Sequence, residues 1–409
     1  MHVLLIHQAF VSPSEAGGTR HFELGQSLLK AGHRFTIVAS DVSYLTGNPL
    51  FDRQSLITEQ EFQGIRVLRA YTYPSVHRGF VWRVVSFLSF MVSSVYAGMK
   101  AGPIDLVIGT SPPIFQAVSA WLVAVLRRRP FLLEIRDLWP AFAIDMGVLK
   151  NSVLIGLSRW LENFLYARAD HILVNSPAYR DYVHSKEIAF EKISLIANGV
   201  DPTLFDPRLT GGDIRQELAL GSDCFVVTYA GALGMANDIP TVLRAAERLR
   251  DHKNIQFLLV GDGKEQPNLK KMAEKRKLQN VIFAGARPKA DMPRILAASD
   301  ACLAVLMDIP MFRTTYPNKV FDYMAAERPT LLAIDGVIRE VIEAAGGGLF
   351  VPPGDDEALA AAVLKLSSNP DLAREMGSAA RSFVVHHFNR SDQSKEFVAL
   401  VSRLGMRVS

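Results

Sequence analysis

Short apolar runs alternate with amphipathic segments along the chain, and this alternation predicts parallel β-strands joined by α-helices. Residues 3–6 (VLLI) are continuously apolar, as expected for a strand covered on both faces of a sheet. Apolar positions recur at helical spacing from Phe22 to Leu29, Gly32 ends this helix, and residues 35–38 form the second strand. The chain therefore opens with a βαβ unit. Further strands of the first half are predicted at residues 105–108, 131–135 and 170–174.

The same alternation begins again in the second half. Residues 198–201 (NGVD) and the polar segment with Pro207 interrupt the pattern, so we place a domain boundary around residues 200–215. A helix is predicted from Ile239 to Leu249. At 409 residues the chain is long enough for two domains, each with its own core. The predicted strands of this half are residues 225–229, 257–260, 281–284 and 301–306.

Glycine-bearing loops follow the predicted strands of both halves. Gly17 and Gly18 follow the first strand, where missing side chains would let the backbone approach a phosphate or a sugar; a plain turn is the alternative. The G-x-G-x-x-G dinucleotide fingerprint is absent. Ligands of open α/β sheets gather at the carboxyl ends of strands, so the loops of the second half predict a ligand crevice. The residues singled out in these loops are Gly231, Gly234, Gly261, Asp262, Gly263 and Arg287.

Two charged residues follow the strand at residues 131–135. Arg136 and Asp137 would lie at the carboxyl end of this strand, which places them for chemistry. A local salt bridge between the two side chains is the alternative interpretation. The spacing by itself fits either role.

A helix that begins near Pro317 has the features of a phosphate site. Pro317 suits a first helical turn, and Asn318 can cap it. Free N–H groups at the helix start, together with the ammonium of Lys319, would hold a phosphate, and Asp322 would accept hydrogen bonds from a ribose. Lys319, Asp322 and Tyr323 would share one face, although a helix with merely solvated charges fits the same spacing. The opposite face would bury the apolar side chains Val320, Phe321, Met324 and Ala325.

Three apolar helices are predicted in the first half, and each carries Trp and Arg near its ends. They lie at residues 80–99, 121–126 and 154–166, and the second leads into three consecutive arginines. Such helices fit a protein that dips into a membrane interface beside anionic lipids. Buried helices of a large α/β domain are the equally weighted alternative.

Composition excludes several classes of protein. The chain is 49% hydrophobic and 21% charged, with a net charge of +4 and a pI near 9.0, as in a globular protein. This charge permits an anionic ligand or membrane, and no nucleic-acid-binding pattern is present. Two cysteines, Cys224 and Cys302, predict reduced thiols, and we expect no metal site. The amino terminus reads as a strand, not a secretion signal, which favours the cytosol or the inner face of a membrane.

Five motifs resemble the GT-B glycosyltransferases of the large retaining family four, and the likeness covers nearly the whole chain. Within it, residues 134–140 (EIRDLWP) and the Pro-Asn-Lys helix look like the WbuB-like branch. Members of that branch build bacterial surface polysaccharides, such as O-antigen and capsule, on polyprenyl diphosphate carriers. The five motifs are residues 17–18 (GG), 198–201 (NGVD), 260–263 (VGDG), 317–325 (PNKVFDYMA) and 348–355 (GLFVPPGD).

The resemblance implies two Rossmann-like, doubly wound α/β domains that face each other across a cleft. Residues 1–200 would bind the acceptor, residues 215–385 would bind the nucleotide-sugar, and residues 386–409 would form a helix that packs back on the first domain. The implied reaction transfers a sugar, an N-acetylated hexosamine or a deoxyhexosamine, from a UDP-sugar to a polyprenyl-diphosphate-linked saccharide. It retains the anomeric configuration, uses no metal or other cofactor, and takes place in the cytoplasm, peripherally on the inner membrane surface.

The expected site residues fall into two groups. Lys319, Arg136, Asp137 and Glu15 are expected to be catalytic; Asp137 or Glu15 would act as a base, unless the phosphate itself takes the proton. The nucleotide-sugar is expected to contact Gly17, Gly18, Gly231, Gly234, Gly261, Asp262, Gly263, Arg287, Pro317, Asn318, Val320 and Asp322.

The chain departs from the family pattern at several positions. Where many members have a Glu pair spaced E-x7-E, this chain has Thr314 and Asp322, and a common histidine is replaced by Arg136. A usual Arg and Lys pair is also missing, so phosphate charge must be met by Lys319, Arg313 or Arg136. Two alternatives therefore remain: a non-hydrolysing UDP-sugar 2-epimerase, and a catalytically silent partner in a polysaccharide assembly complex.

Overall fold

The computed structural model of the chain describes residues 1–12, 15, 17–43, 47–52, 55–74 and 80–406. These residues form two compact α/β units. The described residues of unit 1 fall within 1–12, 18–197 and 393–406. Unit 2 contains residues 198–392, together with Glu15 and Gly17.

Unit 1 is built on an eight-stranded sheet with the order β3-β4-β2-β1-β5-β6-β7-β8. Its strands are β1 (His2–Ile6), β2 (Arg34–Ser40), β3 (Ile57–Phe62), β4 (Ile65–Ala70), β5 (Leu106–Ser111), β6 (Phe131–Ile135), β7 (His171–Val174) and β8 (Ile193–Leu195). Neighbouring strands are parallel except β3 and β4, which form an antiparallel hairpin. The helices are α1 (Arg20–Lys30), α2 (Phe80–Lys100), α3 (Ile114–Arg127), α4 (Ala141–Asp145), α5 (Ser152–Arg168) and α6 (Pro177–His184). A 3-10 turn (Phe190–Lys192) precedes β8.

The predicted opening of unit 1 is confirmed. All five residues of β1 are buried, because helices cover both faces of a parallel sheet. The β3–β4 hairpin was not predicted; it turns at Gln63 and Gly64, both with positive φ. The strand predicted at residues 105–108 is longer than expected: β5 continues through residues 109–111 in register with β6.

Unit 2 carries a six-stranded, fully parallel sheet with the order β11-β10-β9-β12-β13-β14. Its strands are β9 (Phe225–Ala230), β10 (Ile255–Val260), β11 (Val281–Gly285), β12 (Ala301–Val305), β13 (Thr330–Ala333) and β14 (Gly348–Phe350). The helices are α7 (Gly212–Glu217), α8 (Ile239–Arg248), α9 (Gln266–Lys275), α10 (Met292–Ala297), α11 (Asn318–Ala325), α12 (Val337–Ala345), α13 (Asp356–Ser367) and α14 (Pro370–His387). Three 3-10 turns lie at Pro202–Leu204, Lys289–Asp291 and Pro310–Thr314.

The last helix, α15 (Arg390–Gly405), returns to the core of unit 1. Four apolar side chains on it pack with those of β1, β2 and α1 in one buried cluster. These side chains are Phe397, Leu400, Val401 and Leu404.

Strand order decides where a ligand can bind in each unit. In unit 2 the order reverses between β9 and β12, and in unit 1 it reverses between β1 and β5. At such a switch point the connections on the two sides run in opposite directions and leave a crevice at the carboxyl ends of the strands. Helix α11 follows β12, so its amino end begins beside the crevice of unit 2.

One described helical segment, Val81–Lys100 in α2, is long and apolar enough to cross a membrane, with a mean hydropathy of 1.3. Only 28% of it is buried in the protein. Length and composition alone do not separate a spanning helix from an apolar helix of a soluble protein.

Candidate functional site

Three glycines bring the ends of β9, β10 and β11 into backbone contact. The Gly231 N–H donates to Val260 O across 2.9 Å, and the Gly261 N–H donates to Gly285 O across 2.8 Å. A Cβ atom at Gly261 would lie 1.8 Å from the carbonyl oxygen of Gly231. Gly261 therefore cannot carry a side chain without moving the loop of Gly231, and the crevice has a floor of bare backbone.

The adjoining loop distinguishes required glycines from tolerated ones. A Cβ atom at Gly263 would lie 2.5 Å from Leu233 O, whereas one at Gly234 would meet only Asn237, at 4.0 Å. The side chain of Asp262 accepts a hydrogen bond from the Gly263 N–H at 2.7 Å and so holds its own turn.

Helix α11 begins one residue later than the sequence suggested. Pro317 is extended, with φ −66° and ψ 123°, and stands at the capping position, while Asn318 is the first helical residue. The prediction that Asn318 caps the helix is therefore wrong, and no described side chain caps it. An uncapped helix start leaves first-turn N–H groups available to an anion.

The ammonium of Lys319 rests against an aromatic ring in the crevice. Its Nζ donates to Tyr229 Oη at 2.8 Å and to Asn237 Oδ1 at 3.3 Å, and lies 4.0 Å from the centroid of the Tyr229 ring. Among the described residues, no carboxylate pairs with it. Burial lowers the pKa of Lys319 to about 7, because these neutral partners replace water only in part.

The structure brings two of the predicted residues, Lys319 and Gly231, together. A Cβ atom at Gly231 would lie 2.7 Å from Lys319 Nζ, so the glycine leaves the space that the ammonium occupies. Tyr323, predicted to share an exposed face with Lys319, is instead 1% exposed. Its Oη accepts from the Ala230 N–H at 2.9 Å, which ties α11 to the end of β9.

Asp322 forms an ion pair with a residue that the sequence reasoning did not single out. Its Oδ2 accepts from the ammonium of Lys289, which begins the 3-10 turn after β11. The predicted cation of this loop, Arg287, instead pairs with Glu217 at 2.5 Å. Lys289 could have been found, because it stands in a loop already identified and two residues beyond the predicted arginine.

Arg313, another expected source of positive charge, is occupied by acidic neighbours. It is half exposed, and its guanidinium lies 3.4 Å from Asp308 and 4.0 Å from Asp335. The hydroxyl of Thr314 donates to Met311 O at 2.6 Å. Within unit 2, Lys319 is the predicted cation that meets the crevice without a carboxylate partner in the described part of the chain.

In unit 1, Arg136 lies against a histidine. Its Nη1 is 3.3 Å from Nδ1 and 3.2 Å from Nε2 of His7. Burial, together with the charges of His21 and Arg136, lowers the pKa of His7 well below its usual value, so the ring is neutral. The alternative salt bridge between Arg136 and Asp137 is not among the ion pairs of the described residues.

Asp137 is an acidic group of unit 1 whose pKa is shifted towards neutrality. Burial raises its pKa to about 6, although the nearby charge of Arg136 opposes the rise. The hydroxyl of Tyr179 donates to its Oδ1 at 3.4 Å. A carboxyl group with this pKa can hold or release a proton at physiological pH.

Behind Arg136 lies a buried charged cluster that the sequence reasoning missed. Glu134 accepts from His21 Nε2 at 2.6 Å and from Arg20 Nε at 3.1 Å, and the His21 ring lies 4.2 Å from the His7 ring. One signal was present: Glu134 interrupts the otherwise apolar strand FLLEI. A charge within a buried strand requires a partner nearby.

In the loop after β1, the structure does not require a glycine at position 18. Gly17 and Gly18 are exposed, and a Cβ atom at Gly18 would meet nothing within 4 Å. Glu15 is half-buried. Residues 13, 14 and 16 of this loop lie outside the described residues.

Comparisons with known proteins agree with this architecture. Residues 212–383 match the family model described as "Glycosyl transferases group 1", and residues 16–199 match the "Glycosyl transferase 4-like domain". The chain is 26% identical over 305 residues to the probable glycosyltransferase WbjE of Pseudomonas aeruginosa, covering 73% of this chain and 75% of that one. It is 24% identical over 387 residues to WcaI of Escherichia coli K12, a putative colanic acid biosynthesis glycosyl transferase, covering 91% and 94% of the two chains.

Solved structures resemble the whole chain. Sucrose-phosphate synthase from Thermosynechococcus elongatus superimposes with a TM-score of 0.80 at 19% identity, covering 100% of both chains. Anabaena HepE, in complex with UDP and glucose, gives a TM-score of 0.74 at 17% identity, covering 98% of this chain and 99% of that one. With two Rossmann-like units and family models that match residues 16–199 and 212–383, this chain belongs to the group 1 glycosyltransferases and has the GT-B fold.

Proposed function

We propose that this enzyme is a retaining glycosyltransferase that moves a sugar from a UDP-sugar onto a polyprenyl-diphosphate-linked saccharide of a bacterial surface polysaccharide. The observation that carries the proposal is the ammonium of Lys319 at the uncapped start of α11, with neutral partners and the bare backbone of Gly231 beside it. A cation whose hydrogen-bond partners are neutral can bind the negative charge of a nucleoside diphosphate. The name of WcaI and the UDP bound to HepE support the pathway and the donor.

In this mechanism unit 2 binds the donor. When the bond between the sugar and the diphosphate breaks, negative charge develops on the diphosphate and positive character on the sugar ring. The first-turn N–H groups of α11 and the ammonium of Lys319 stabilise the departing charge, and they do so most strongly when it is fully developed. Asp322 accepts a hydrogen bond from the ribose behind the diphosphate.

Unit 1 binds the acceptor. The acceptor hydroxyl forms the new bond to the sugar, and its proton passes to an oxygen of the departing diphosphate on the same face, so the configuration is retained. Asp137, which titrates near neutrality, accepts a hydrogen bond from the acceptor and orients it. Arg136 meets the negative charge of the substrates from this side.

A lipid-linked acceptor requires access to a membrane, and unit 1 has a suitable surface. Helix α2 packs against α3, and α3 packs against α5. Trp160 of α5 stacks on Phe164, which also contacts Trp121 of α3. We call the exposed apolar side chains of these helices the apolar patch: Val81, Trp82, Leu88, Val92, Tyr96, Met99, Val125, Leu126, Val153, Leu154, Leu157 and Trp160.

The helices of the apolar patch also carry exposed basic side chains. Exposed basic residues on the same three helices or directly after them are Arg83, Lys100, Arg128, Arg159 and Arg168. Apolar side chains that enter the acyl boundary and cations that face lipid phosphates are the two parts of an interfacial membrane site. We therefore propose peripheral binding to the anionic inner face of the membrane.

The decisive experiment incubates the protein with a panel of UDP-sugars, with and without polyprenyl-diphosphate saccharides. The nucleotide-sugar and the lipid product are then separated by chromatography and identified by NMR spectroscopy, which distinguishes epimers and anomers of equal mass. Transfer to the lipid with retained configuration is expected. A new UDP-sugar epimer that forms without acceptor would instead identify an epimerase. If UDP binds but neither product forms with any pair, the silent-partner alternative replaces the proposal.

A further inference from the structure

The ion pair between Lys289 and Asp322 is partly buried. The two side chains are 22% and 16% exposed. At this degree of burial, opposite charges attract more strongly than in a surface pair, and their geometry is held more tightly. In the described part of the chain, Asp322 is the one hydrogen-bond partner of the Lys289 ammonium.

The pair connects two elements that border the crevice. Lys289 opens the turn that follows β11, at the edge of the sheet, whereas Asp322 lies one helical turn into α11. The two other cations near this turn pair with residues outside α11: Arg287 pairs with Glu217, and Arg294 pairs with Asp213. Lys289 therefore is the basic side chain of this segment that reaches α11.

We propose that Lys289 determines nucleotide specificity: with Asp322 it binds one ribose hydroxyl of the donor and selects a ribonucleotide over its deoxy analogue. The inference rests on the proposed function, in which Asp322 faces the ribose. Lys289 touches the substrate but takes no part in the transfer of the sugar.

Hydroxyl chemistry explains why a charged pair suits this task. A hydroxyl both donates and accepts a hydrogen bond, so it can donate to the Asp322 carboxylate and accept from the Lys289 ammonium. Both hydrogen bonds involve a charged group, which makes them stronger than neutral ones. Asp322 stands where many family members have a glutamate, and its side chain is one methylene shorter. The ammonium of Lys289 supplies a second contact to the hydroxyl, which compensates for the shorter reach of the carboxylate.

A nucleotide without that hydroxyl leaves both charged groups one hydrogen bond short. Such a loss lowers affinity by about tenfold to a hundredfold. Without the lysine, the hydroxyl would keep only its bond to Asp322, and most of this discrimination would disappear.

The test measures the Kd of UDP, 2′-deoxy-UDP and 3′-deoxy-UDP by calorimetry on the full chain. The wild type is expected to bind one deoxy analogue at least tenfold more weakly than UDP. Lys289→Met is expected to weaken UDP binding about tenfold and to change the Kd of that analogue less than threefold. Lys365→Met, an exposed lysine of α13, is the matched control and should leave all three values unchanged.

A second pair of variants keeps the test valid if Lys289→Met does not fold. Lys289→Gln and Asp322→Asn each keep the size of the side chain, and each should reduce the same discrimination. A wild type that binds both analogues as well as UDP, or a Lys289 variant that keeps the full ratio, would overturn the inference. A wild type that does not bind UDP at all would overturn the proposed function instead.

Discussion

The ammonium of Lys319 lies over the ring of Tyr229, 4.0 Å from its centroid, and donates to the hydroxyl of the same tyrosine at 2.8 Å. Both contacts are with a neutral group. They orient the cation without cancelling its charge. An anion that enters the crevice would therefore meet a positive charge that is already positioned, which lowers the reorganisation needed when the diphosphate departs.

Replacement of Lys319 by methionine should abolish most of the transferase activity. Methionine keeps a similar length but removes the charge, and the loss of one oriented group of this kind costs about a hundredfold to a thousandfold in kcat. Initial rates of sugar transfer measure the effect, with circular dichroism to verify the fold. Lys365→Met should transfer at the wild-type rate; wild-type turnover by Lys319→Met would refute the role of the ammonium.

The affinity for UDP should depend on the charge of Lys319. Burial lowers the pKa of Lys319 to about 7 in the free protein. The negative charge of a bound diphosphate raises that pKa, so binding above pH 7 takes up a proton. Affinity should be greatest below pH 7 and should fall by up to about tenfold per pH unit as the pH rises towards the pKa of the complex.

Calorimetry between pH 6 and pH 9 in buffers of different ionisation enthalpy measures the affinity for UDP and the number of protons taken up on binding. The phosphate of UDP titrates in the same way with any variant, so Lys319→Met isolates the contribution of the lysine. The affinity gap between the wild type and the variant should be widest below pH 7, where the lysine is charged, and should close as the pH rises above 7. Identical profiles would show that Lys319 does not gain a proton on binding.

Replacement of Glu134 by glutamine should destabilise unit 1. The change leaves Arg20 and His21 charged or polar in a buried position without their carboxylate, which costs about 3 kcal/mol. Burial alone would raise the pKa of Glu134, but the neighbouring His21 and Arg20 lower it. The stabilisation is therefore complete above the usual carboxyl pKa and is lost on acidification below it.

Urea unfolding at pH 7 and at pH 3 measures this prediction. Glu191→Gln, at an exposed glutamate of the same unit, is the control and should change stability little. The gap between Glu134→Gln and the wild type should shrink at the lower pH. Equal stability at pH 7 would mean that the cluster contributes nothing net to the fold.

The apolar patch should bind anionic vesicles. Leu157→Glu with Trp160→Glu places two negative charges on the α5 part of the patch, and both side chains are exposed, so the fold should persist. Sedimentation with vesicles of mixed anionic and zwitterionic lipids should fall at least tenfold for this variant and should weaken with salt for the wild type.

The control for this experiment is Leu204→Glu, an exposed apolar residue of unit 2, which should sediment like the wild type. Wild-type protein that stays in the supernatant at low salt would remove the membrane from the proposed function. Retained sedimentation by the double variant would show that another surface binds the lipid.

Much of the fold follows from local patterns. Buried parallel strands such as β1 and β12 are short apolar runs, so their positions were predicted to within one residue at each end. The β3–β4 hairpin escaped notice, because β3 (ITEQEF) is mostly polar and lies at the sheet edge, where burial imposes little pattern. Local patterns report burial, and they are weak where burial is weak.

Some features of the candidate site were predicted from the sequence, and others were missed. Gly231 and Gly261 stood out because each follows a predicted strand, and a Cβ atom at Gly261 would collide with the backbone of Gly231. Arg287 was chosen and Lys289 overlooked, although the two are neighbours in one loop. The sequence shows where the charged residues stand along the chain. It does not show which of them form ion pairs, because that depends on which side chain can reach a partner on another helix or strand.

The order of residues alone thus specified the alternation of strands and helices, the glycine loops at strand ends and the cation at the start of α11, because each depends on side chains a few positions apart. Only the tertiary structure decided which charged side chains form ion pairs and which have neutral partners. Tyr229 faces Lys319 across 90 residues of sequence, and Lys289 meets Asp322 across 33. Contacts of that separation follow from sheet order and helix packing, and no short pattern encodes them.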